Sequence, residues 1–484
     1  MCSVTTGFFV FMINHKPIVM KFGGTSVEDE HAFERVAEIV ASRRDLRPVV
    51  VVSAMSGMTD RLLAAVKLAQ EGDSQRATSS LIPQFARHLD VARTLSVQEQ
   101  ASTVPTVECA RKEIAALLAE ISQHSKSLAA LTDAVLSYGE QLSSVLLAAI
   151  LRQRGLAARQ VDARHCIITD QEHGCAAPLL EETFECCRRV LGPLVMESFI
   201  PVVGGFMGAT LQGETTTIGR GGSDYTAALA GAALEASEVQ IWTDVTGVLT
   251  ADPRIVPKAH TIPRLSYAEA AELAYFGAKV LHPKTIQPAV EGRIPVRICN
   301  SRSMNDAGTL VCAESATVQH TVKAIAHKTG VTTVQISSAR MLGAYGFLRA
   351  LFEVFDRHRT IVDVVTTSEV SVSLSLDDAG ALPAIVEELS QLGSVRVERG
   401  RAIICVVGEG LRGTPGIAAR VFSTISDINV TLISQGASSI NLTFAIEEAR
   451  VKEAVTRLHE TFFEEVATQR ESPEVAEGAL TVSV

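Results

Sequence analysis

The sequence predicts an α/β protein: a layered domain on a mainly parallel sheet, followed by two copies of a smaller ferredoxin-like α+β unit. Three observations carry this. The chain has 484 residues, and at about 150 residues per domain that suggests roughly three domains. Before Val311, short apolar runs alternate with longer Ala- and Leu-rich stretches, the mark of βα alternation. After it an internal repeat appears, in which Gly346-Phe-Leu…Phe352 matches Gly416-Ile-Ala…Phe422, a spacing of 70 residues.

The strands expected in the first part are Ile18–Phe22, Val49–Ser53, Ile200–Val203, Val239–Thr243 and Ile294–Cys299. They read as continuous apolar runs, VVVVS at Val49–Ser53 being the clearest, which a parallel sheet covered on both faces requires. Between them, helices are expected over Glu28–Ser42, Arg61–Ala69, Val107–Ser122, Leu131–Arg154 and Tyr225–Leu234. In the repeat, TTSEVSVSL (Thr366–Leu374) matches GASSINLTF (Gly436–Phe444), and each copy reads strand, Gly-led helix, strand, strand, helix. The expected segments are 14–312, then 325–398 and 399–467, the last also able to take a strand from about 318–330, and a frayed polar tail at 468–484.

Composition narrows the function. Hydrophobic residues make up 47% of the chain, enough for sizeable cores. A net charge of −10 argues against a nucleic-acid partner, so any anionic ligand must be held by local arrangement. The nine cysteines include no CxxC pair and read as free thiols in a reducing cytoplasm. Residues 6–13 (TGFFVFMI) are apolar but too short to span a membrane, and read as a loose extension before a start at Met1 or Met12, a signal peptide being the lesser alternative. No other stretch reaches spanning length by composition, so no membrane partner is expected.

Four motifs carry chemistry. KFGGTSV (Lys21–Val27) follows a strand and precedes a helix; its paired glycines let the backbone approach a phosphate, and Lys21 stands at the strand end. Phosphoryl transfer is catalysed by positioning and charge stabilisation, which a Lys beside a glycine loop supplies. GxxxxGK[ST] is absent, so the nucleotide is held by another device. The second motif, TTTIGRGGSDYTAALAGAAL (Thr215–Leu234), turns on Gly219, Gly221 and Gly222 into a small-residue helix. There Arg220 offers a fork for a carboxylate, Ser223 could cap the helix, and Asp224 stands in its first turn. Third, VQIWTDVTGVLTADPR (Val239–Arg254) ends a strand at Thr243-Asp244, where ligands of open α/β sheets lie. Fourth, AYFGAKVLHPKT (Ala274–Thr285) carries Lys279; His282 reads as structural, because a carboxylate acceptor needs no base. GEGLRG (Gly408–Gly413) fits a dinucleotide fingerprint but is rejected: Asp427 precedes a strand instead of ending one, and the matching copy at Gly346 lacks the pattern.

With these motifs in order, the chain resembles the aspartate kinases of the amino-acid kinase family from about Ile18 to Glu465, and the repeat looks like their tandem ACT regulatory domains. The resemblance implies a three-layer αβα kinase domain with ATP and Mg²⁺ as cofactors and L-aspartate as substrate. It places Lys21, Asp224 and Lys279 in catalysis, with Gly23 and Gly24 cradling phosphates. It gives aspartate to Ser53, Thr59, Glu140, Arg220 and Ser223, with Glu140 on the amino group and Arg220 on the α-carboxylate. It gives the nucleotide to Thr243, Asp244, Leu249 and Arg254, although many relatives carry Tyr where Leu249 stands. The regulatory half resembles lysine-sensitive members, which implies a lysine effector at Met341, Gly346, Phe347, Leu348, Asp363, Ser368, Glu369 and Val370, between first repeats of a homodimer. Asp363 or Glu369 would meet the effector's side-chain ammonium, while Ala344 and Tyr345 depart from the lysine-sensitive pattern.

Bland readings stand beside these roles: a solvated helix face for Glu140 and a helix cap for Thr59. Two other functions compete. A kinase of the same fold for glutamate, acetylglutamate or a nucleotide is disfavoured by Arg220, Glu140 and the full WTDV…DPR stretch. A non-catalytic amino-acid sensor would have no reason to keep Lys21, Asp224 and Lys279.

Overall fold

The computed structural model describes residues 16–123, 128–277, 283–313, 322–343, 345–377, 379–436 and 438–464. They form two compact units, Met1–Gly247 with His282–Ala313, and Val248–Leu281 with Glu314–Val484. The stretch 248–281, expected inside the layered domain, is thus grouped with the C-terminal chain. Lys279, His282, Ala344, the N-terminal extension and the 468–484 tail lie outside the described residues. Elements are numbered in chain order through both units.

In the first unit β1 (Ile18–Phe22), β2 (Pro48–Val52), β3 (Ala158–Val161), β5 (Ile200–Gly204), β8 (Glu238–Thr243), β10 (Val296–Asn300) and β11 (Thr309–Cys312) lie in the order β3-β5-β2-β1-β8-β10-β11. All neighbours are parallel except β10 and β11. The small strands β4 (Ile168–Thr169), β6 (Met207–Thr210) and β7 (Thr215–Thr217) form a second sheet. Every residue of β2 and β5 is buried, so the sheet is covered on both faces as the apolar runs required. The chain steps from β1 outward to β2 and later returns on the other side of β1 as β8. The carboxyl ends of β1, β2, β5 and β8 therefore open on one crevice, a topological switch point.

The covering helices are α1 (Glu30–Ser42), α2 (Met58–Gln70), α3 (Ser74–Ser80), α4 (Ile82–Arg93), α5 (Val97–Ser122), α6 (Leu128–Gln153), α7 (Leu180–Met196), α8 (Gly222–Ala233) and the short α10 (Gln287–Glu291). Asp29 starts α1 by accepting a hydrogen bond from the Ala32 N–H at 2.8 Å. The α5 helix begins ten residues before the expected Val107, running through Pro105. Pro105 and Ala101, whose carbonyl it frees, are both exposed, so that carbonyl is not left in the core. By length and composition α6 could cross a membrane, contrary to the sequence reading, but 78% of its most apolar window is buried in this unit. It is a core helix, and it carries two buried carboxylic residues, Asp133 and Glu140.

The second unit begins with β9 (Arg264–Ser266) and α9 (Tyr267–Tyr275), which a Ser266/Glu269 capping box starts. It continues with β12 (Ala324–Ser337), α11 (Phe347–Arg357), β13 (Val365–Thr367), β14 (Ser371–Leu376), α12 (Leu382–Leu389), β15 (Ser394–Val407), α13 (Ile417–Thr424), β16 (Leu432–Gln435), β17 (Asn441–Glu447) and α14 (Val451–His459). One sheet, β13-β14-β12-β15-β17-β16, serves both repeats. The strands β12 and β15 are long enough to be shared: Val331–Ser337 pairs with the first half of β15, and Ala324–Lys328 with the second half. The second repeat thus takes its last strand from chain that precedes the first, as the 318–330 expectation allowed. Gly346 and Gly416, the repeat's anchoring pair, are both left-handed (φ 84° and 82°) at the N-caps of α11 and α13, where a side chain would be strained.

Candidate active site

The crevice at the switch point is a cavity of about 500 Å³, built wholly from the first unit. Backbone hydrogen bonds that continue the sheet beyond its strands hold its walls. The Gly23 N–H donates to the Trp242 carbonyl (3.1 Å), Ser53 N–H to Phe22 (3.0 Å), Ser56 N–H to Gly24 (3.2 Å) and Gly205 N–H to Val52 (2.9 Å). Gly24 is glycine for want of room, since a Cβ there would stand 2.9 Å from the Ala54 carbonyl oxygen. Ser301 closes the β8 side, its N–H and hydroxyl both reaching the Thr243 carbonyl, at 2.8 and 3.0 Å.

Lys21 and Asp224 meet inside this cavity. Lys21 Nζ lies 2.6 Å from Asp224 Oδ1, and the two side chains are only 12% and 17% exposed. The contact lacks hydrogen-bond geometry at Oδ1, so it is an electrostatic pairing whose partners remain able to turn to a ligand. Asp224 stands in the first turn of α8, where the helix dipole favours its charge. The turn before it depends on Gly221 at φ 77°, which serves as N-cap. Ser223 therefore does not cap α8, correcting that reading; it lies one turn position inside the helix, buried against the cavity.

Glu140 is the sharpest feature. Its residue is 4% exposed, which overturns the solvated-face reading, and its Oε2 has no hydrogen-bond partner. Burial pushes its carboxyl up to about 8, against the opposing pull of the Ala54 backbone hydrogen bond and the Lys21 charge. Such a group is poised for a cation from outside. Thr59 is likewise not a cap, because Gly57 holds that place at the start of α2, and it lines the cavity with Ser53, Gly23, Thr243 and Asp244. Arg220 is exposed at the rim and forms no ion pair among the described residues.

Leu249 and Arg254 belong to the second unit, where Leu249 bridges to Thr261. Arg254 is 87% exposed on its side chain and grips Asp252 at 2.7 Å. Of the effector candidates, Gly346, Phe347 and Leu348 open α11, Met341 ends a 3-10 turn, and Ser368, Glu369 and Val370 form the exposed β13–β14 turn. Asp363 differs: its side chain is 2% exposed, 3.5 Å from Lys328 Nζ, and it accepts a hydrogen bond from Tyr275 Oη. Burial raises its pKa despite those partners. Glu369 has no ion pair among the described residues, so it is the freer anion of the two.

Sequence reasoning missed Phe206, Ser56, Gly57 and Asp60, which also line the cavity. Phe206 had a readable signal, a bulky residue after two glycines at the end of an apolar strand, and it is held at φ 67°. It also missed Asp133, whose fully buried carboxylate accepts hydrogen bonds from Thr217 Oγ1 (2.5 Å), Thr217 N–H (3.0 Å), Gly174 N–H (2.9 Å) and His173 Nδ1 (3.1 Å). Asp133 thereby pins β7, which leads directly into the Gly219–Gly222 turn.

A parallel α/β sheet whose strand ends gather two glycine loops, a Lys–Asp pair and an unpaired buried carboxyl defines a small-molecule phosphotransferase. Comparison with known proteins agrees. Residues 16–300 match the amino acid kinase family and residues 404–462 an ACT domain. The lysine-sensitive aspartokinase 3 of Escherichia coli is 39% identical over 92% of this chain and 99% of its own length. Two crystal structures of Escherichia coli aspartokinase III are similar at 37% identity and the full length of those chains. The complex with aspartate and ADP (R-state) has a TM-score of 0.78 over 92% of this chain, and the complex with lysine and aspartate (T-state) 0.77 over 93%. The chain belongs to the amino acid kinase family, and within it to the aspartokinases.

Proposed function

We propose that the first unit's cavity transfers the γ-phosphoryl group of ATP to the β-carboxylate of L-aspartate. The observation that carries this is the buried Glu140 carboxyl, its Oε2 without a partner, sharing one cavity with Arg220 and the Lys21–Asp224 pair. An amino-dicarboxylate presents one ammonium and two carboxylates. Glu140 would take the ammonium and Arg220 the α-carboxylate, with Ser53, Thr59 and Ser223 around them, leaving the β-carboxylate toward Lys21. A β-carboxylate oxygen attacks the γ-phosphorus while the β,γ-bridging oxygen leaves with ADP. The acceptor is already ionised, so no base is needed. Lys21 neutralises charge on the transferring group, Asp224 orients Lys21, and the Gly23–Gly24 backbone approaches the phosphates. Thr243 and Asp244 would hold the nucleotide, and the family resemblance adds Leu249, Arg254 and Lys279.

Mg²⁺ fits this site. The charged lining residues are four carboxylic (Asp60, Glu140, Asp224, Asp244) and two cationic (Lys21, Arg220), too few cations for a triphosphate. Among the described residues no cluster of three or more His, Cys, Asp or Glu forms a protein cage. That suits an ion which takes one or two carboxylates and completes its shell with phosphate and water. Bound, it would neutralise the β- and γ-oxygens.

The ACT repeats would place this activity under feedback by an amino acid, lysine by resemblance, at the α11 start and the β13–β14 turn of a homodimer. The reaction would open lysine, threonine and methionine biosynthesis. The eight cysteines among the described residues are all free, which supports a reducing cytoplasm. Trapping the acyl phosphate with hydroxylamine tests the reading: the product must require both ATP and aspartate, be poor with glutamate, and fall when lysine is added. Lys21→Ala should lower kcat by about a hundredfold or more. A loss confined to the KM for ATP would remove Lys21 from transition-state stabilisation.

A further inference from the structure

The second unit contains a cavity of about 280 Å³ that none of the effector candidates lines. It opens on the sheet face opposite α11 and α12. Val334, Ile336 and Val397 point into the core beneath those helices, so strand alternation turns Thr333, Arg396 and Glu398 the other way. Ser373 of β14, Arg401 of β15, Gln335 of β12, and Asn429 and Thr431 just before β16 also line it. The lining thus comes from both repeats, at the place where the β12–β15 register shifts between Val331↔Arg401 and Thr333↔Glu398.

A solvated sheet face would explain polar residues here, but it does not explain Arg401. Its side chain is 13% exposed, and Nη2 meets Glu398 Oε2 at 2.9 Å. Its Nη1 is buried with no hydrogen-bond partner, the remaining carboxylate contact being Glu447 at 4.0 Å. Glu398 also faces Arg396, at 2.8 Å from its other oxygen. Glu398 therefore answers two guanidiniums, and Glu447 stands too far from Arg401 Nη1 to accept a hydrogen bond, which leaves one buried donor without an acceptor. Buried donors in folded proteins are almost always satisfied, and an exception asks for its missing acceptor. With the carboxylates of Glu398 and Glu447 beside Arg401, a doubly charged phosphate would be repelled more than a monoanion.

We propose that this cavity binds a small organic monocarboxylate, one carboxylate oxygen accepting from Arg401 Nη1 and the hydroxyls of Thr333, Ser373 and Thr431 meeting its other polar groups. The volume lies at the lower end for ligand cavities, which suits a molecule far smaller than a nucleotide. Because the ligand would touch both repeats at their shared strands, its binding would stabilise the joined sheet by mass action. It would do so at a place separate from the α11 start and the β13–β14 turn.

The test uses the full chain, with acetate, L-lactate, L-alanine and inorganic phosphate as probes, read by titration calorimetry and by melting midpoint. The expected result is saturable binding of at least one monocarboxylate, one per chain, with a raised midpoint and no saturable phosphate binding. Arg401→Met should weaken that binding about tenfold or more, and Thr333→Val should weaken it measurably. Absence of binding by all three monocarboxylates at millimolar concentration overturns the proposal. So does an affinity unchanged in Arg401→Met, which would place the bound probe elsewhere, or phosphate binding as tightly as the carboxylates. Should Arg401→Met fail to fold by circular dichroism, Thr333→Val decides alone, and an unchanged affinity there counts against the site.

Discussion

Glu140 carries two opposed properties: it is buried without a partner at Oε2, and its role as proposed requires it ionised. With its carboxyl pushed up to about 8 by burial, most of the free protein at pH 7 holds the proton. Aspartate's ammonium needs the carboxylate, so substrate binding should release a proton. The KM for aspartate should fall as pH rises from 6 toward 8, approaching tenfold per unit well below 8, and level off above it. Glu140→Gln should raise the KM strongly and flatten that profile; a wild-type KM independent of pH across this range would sink the assignment. The stability sign is the reverse. The folded group keeps its proton in the window from about 4.5 to about 8 while the unfolded group has lost it, so this residue's contribution to stability declines as pH rises through that window. Binding therefore improves with pH while the free protein is weakened by the same group, and added aspartate should restore the melting temperature most at the alkaline end.

At the scale of elements, the Gly219–Gly222 turn is only as well placed as the strand that feeds it. β7 has three residues, too few to hold a position by its ladder alone, and Asp133 of α6 supplies the rest through four hydrogen bonds, two of them to Thr217. Asp133→Ala would leave the Thr217 and Gly174 N–H groups without acceptors, at a cost of about 1–3 kcal/mol for each left buried. The melting temperature should drop, and the KM for aspartate should rise more than kcat falls, because Arg220 stands in that turn while Lys21 stands on β1. Equal loss in both parameters would instead mark general destabilisation. Asp133 also shows where sequence reading stops. KFGGTSV and GRGGSD were legible because loop chemistry is local: in each, the charged residue stands within a few residues of its glycines. The Asp133 partners lie 40, 41 and 84 positions away, and nothing in a Leu-rich helix marks one Asp as a hinge support. A strand's partner is likewise fixed by tertiary pairing: a strand from about 318–330 could be offered to the second repeat, but its continuation in β12 into the first could not be read, whereas the repeat itself was visible as glycines 70 residues apart. Glu140 fell between the two: the sequence offered it as a carboxylic residue on a helix, but its burial depends on β5, which begins 60 residues later.

Over the molecule as a whole, exposed apolar side chains are unevenly spread. The first repeat shows Leu342, Tyr345, Leu348, Ile361 and Val370 at 66, 104, 43, 76 and 44% exposure, whereas among the described residues of the second repeat only Ile433, at 48%, is a large exposed hydrophobic. Single exposed apolar residues need no explanation, but a set gathered on one repeat and running into the effector candidates is what a subunit interface would leave uncovered in a lone chain. Tyr345, the most exposed of them, is of a residue type that concentrates binding energy. Sedimentation of the full chain should therefore give a dimer at micromolar concentration. Tyr345→Lys and Ile361→Lys, neither among the effector candidates, should each raise the dimer dissociation constant about tenfold or more, equivalent to about 1.4 kcal/mol. The lining of the kinase cavity comes from this one chain, so hydroxamate formation without lysine should persist in the monomeric double variant while inhibition by lysine is lost. A wild-type monomer at micromolar concentration would end the interface reading, and inhibition that survives monomerisation would move the effector off the interface and into a single repeat.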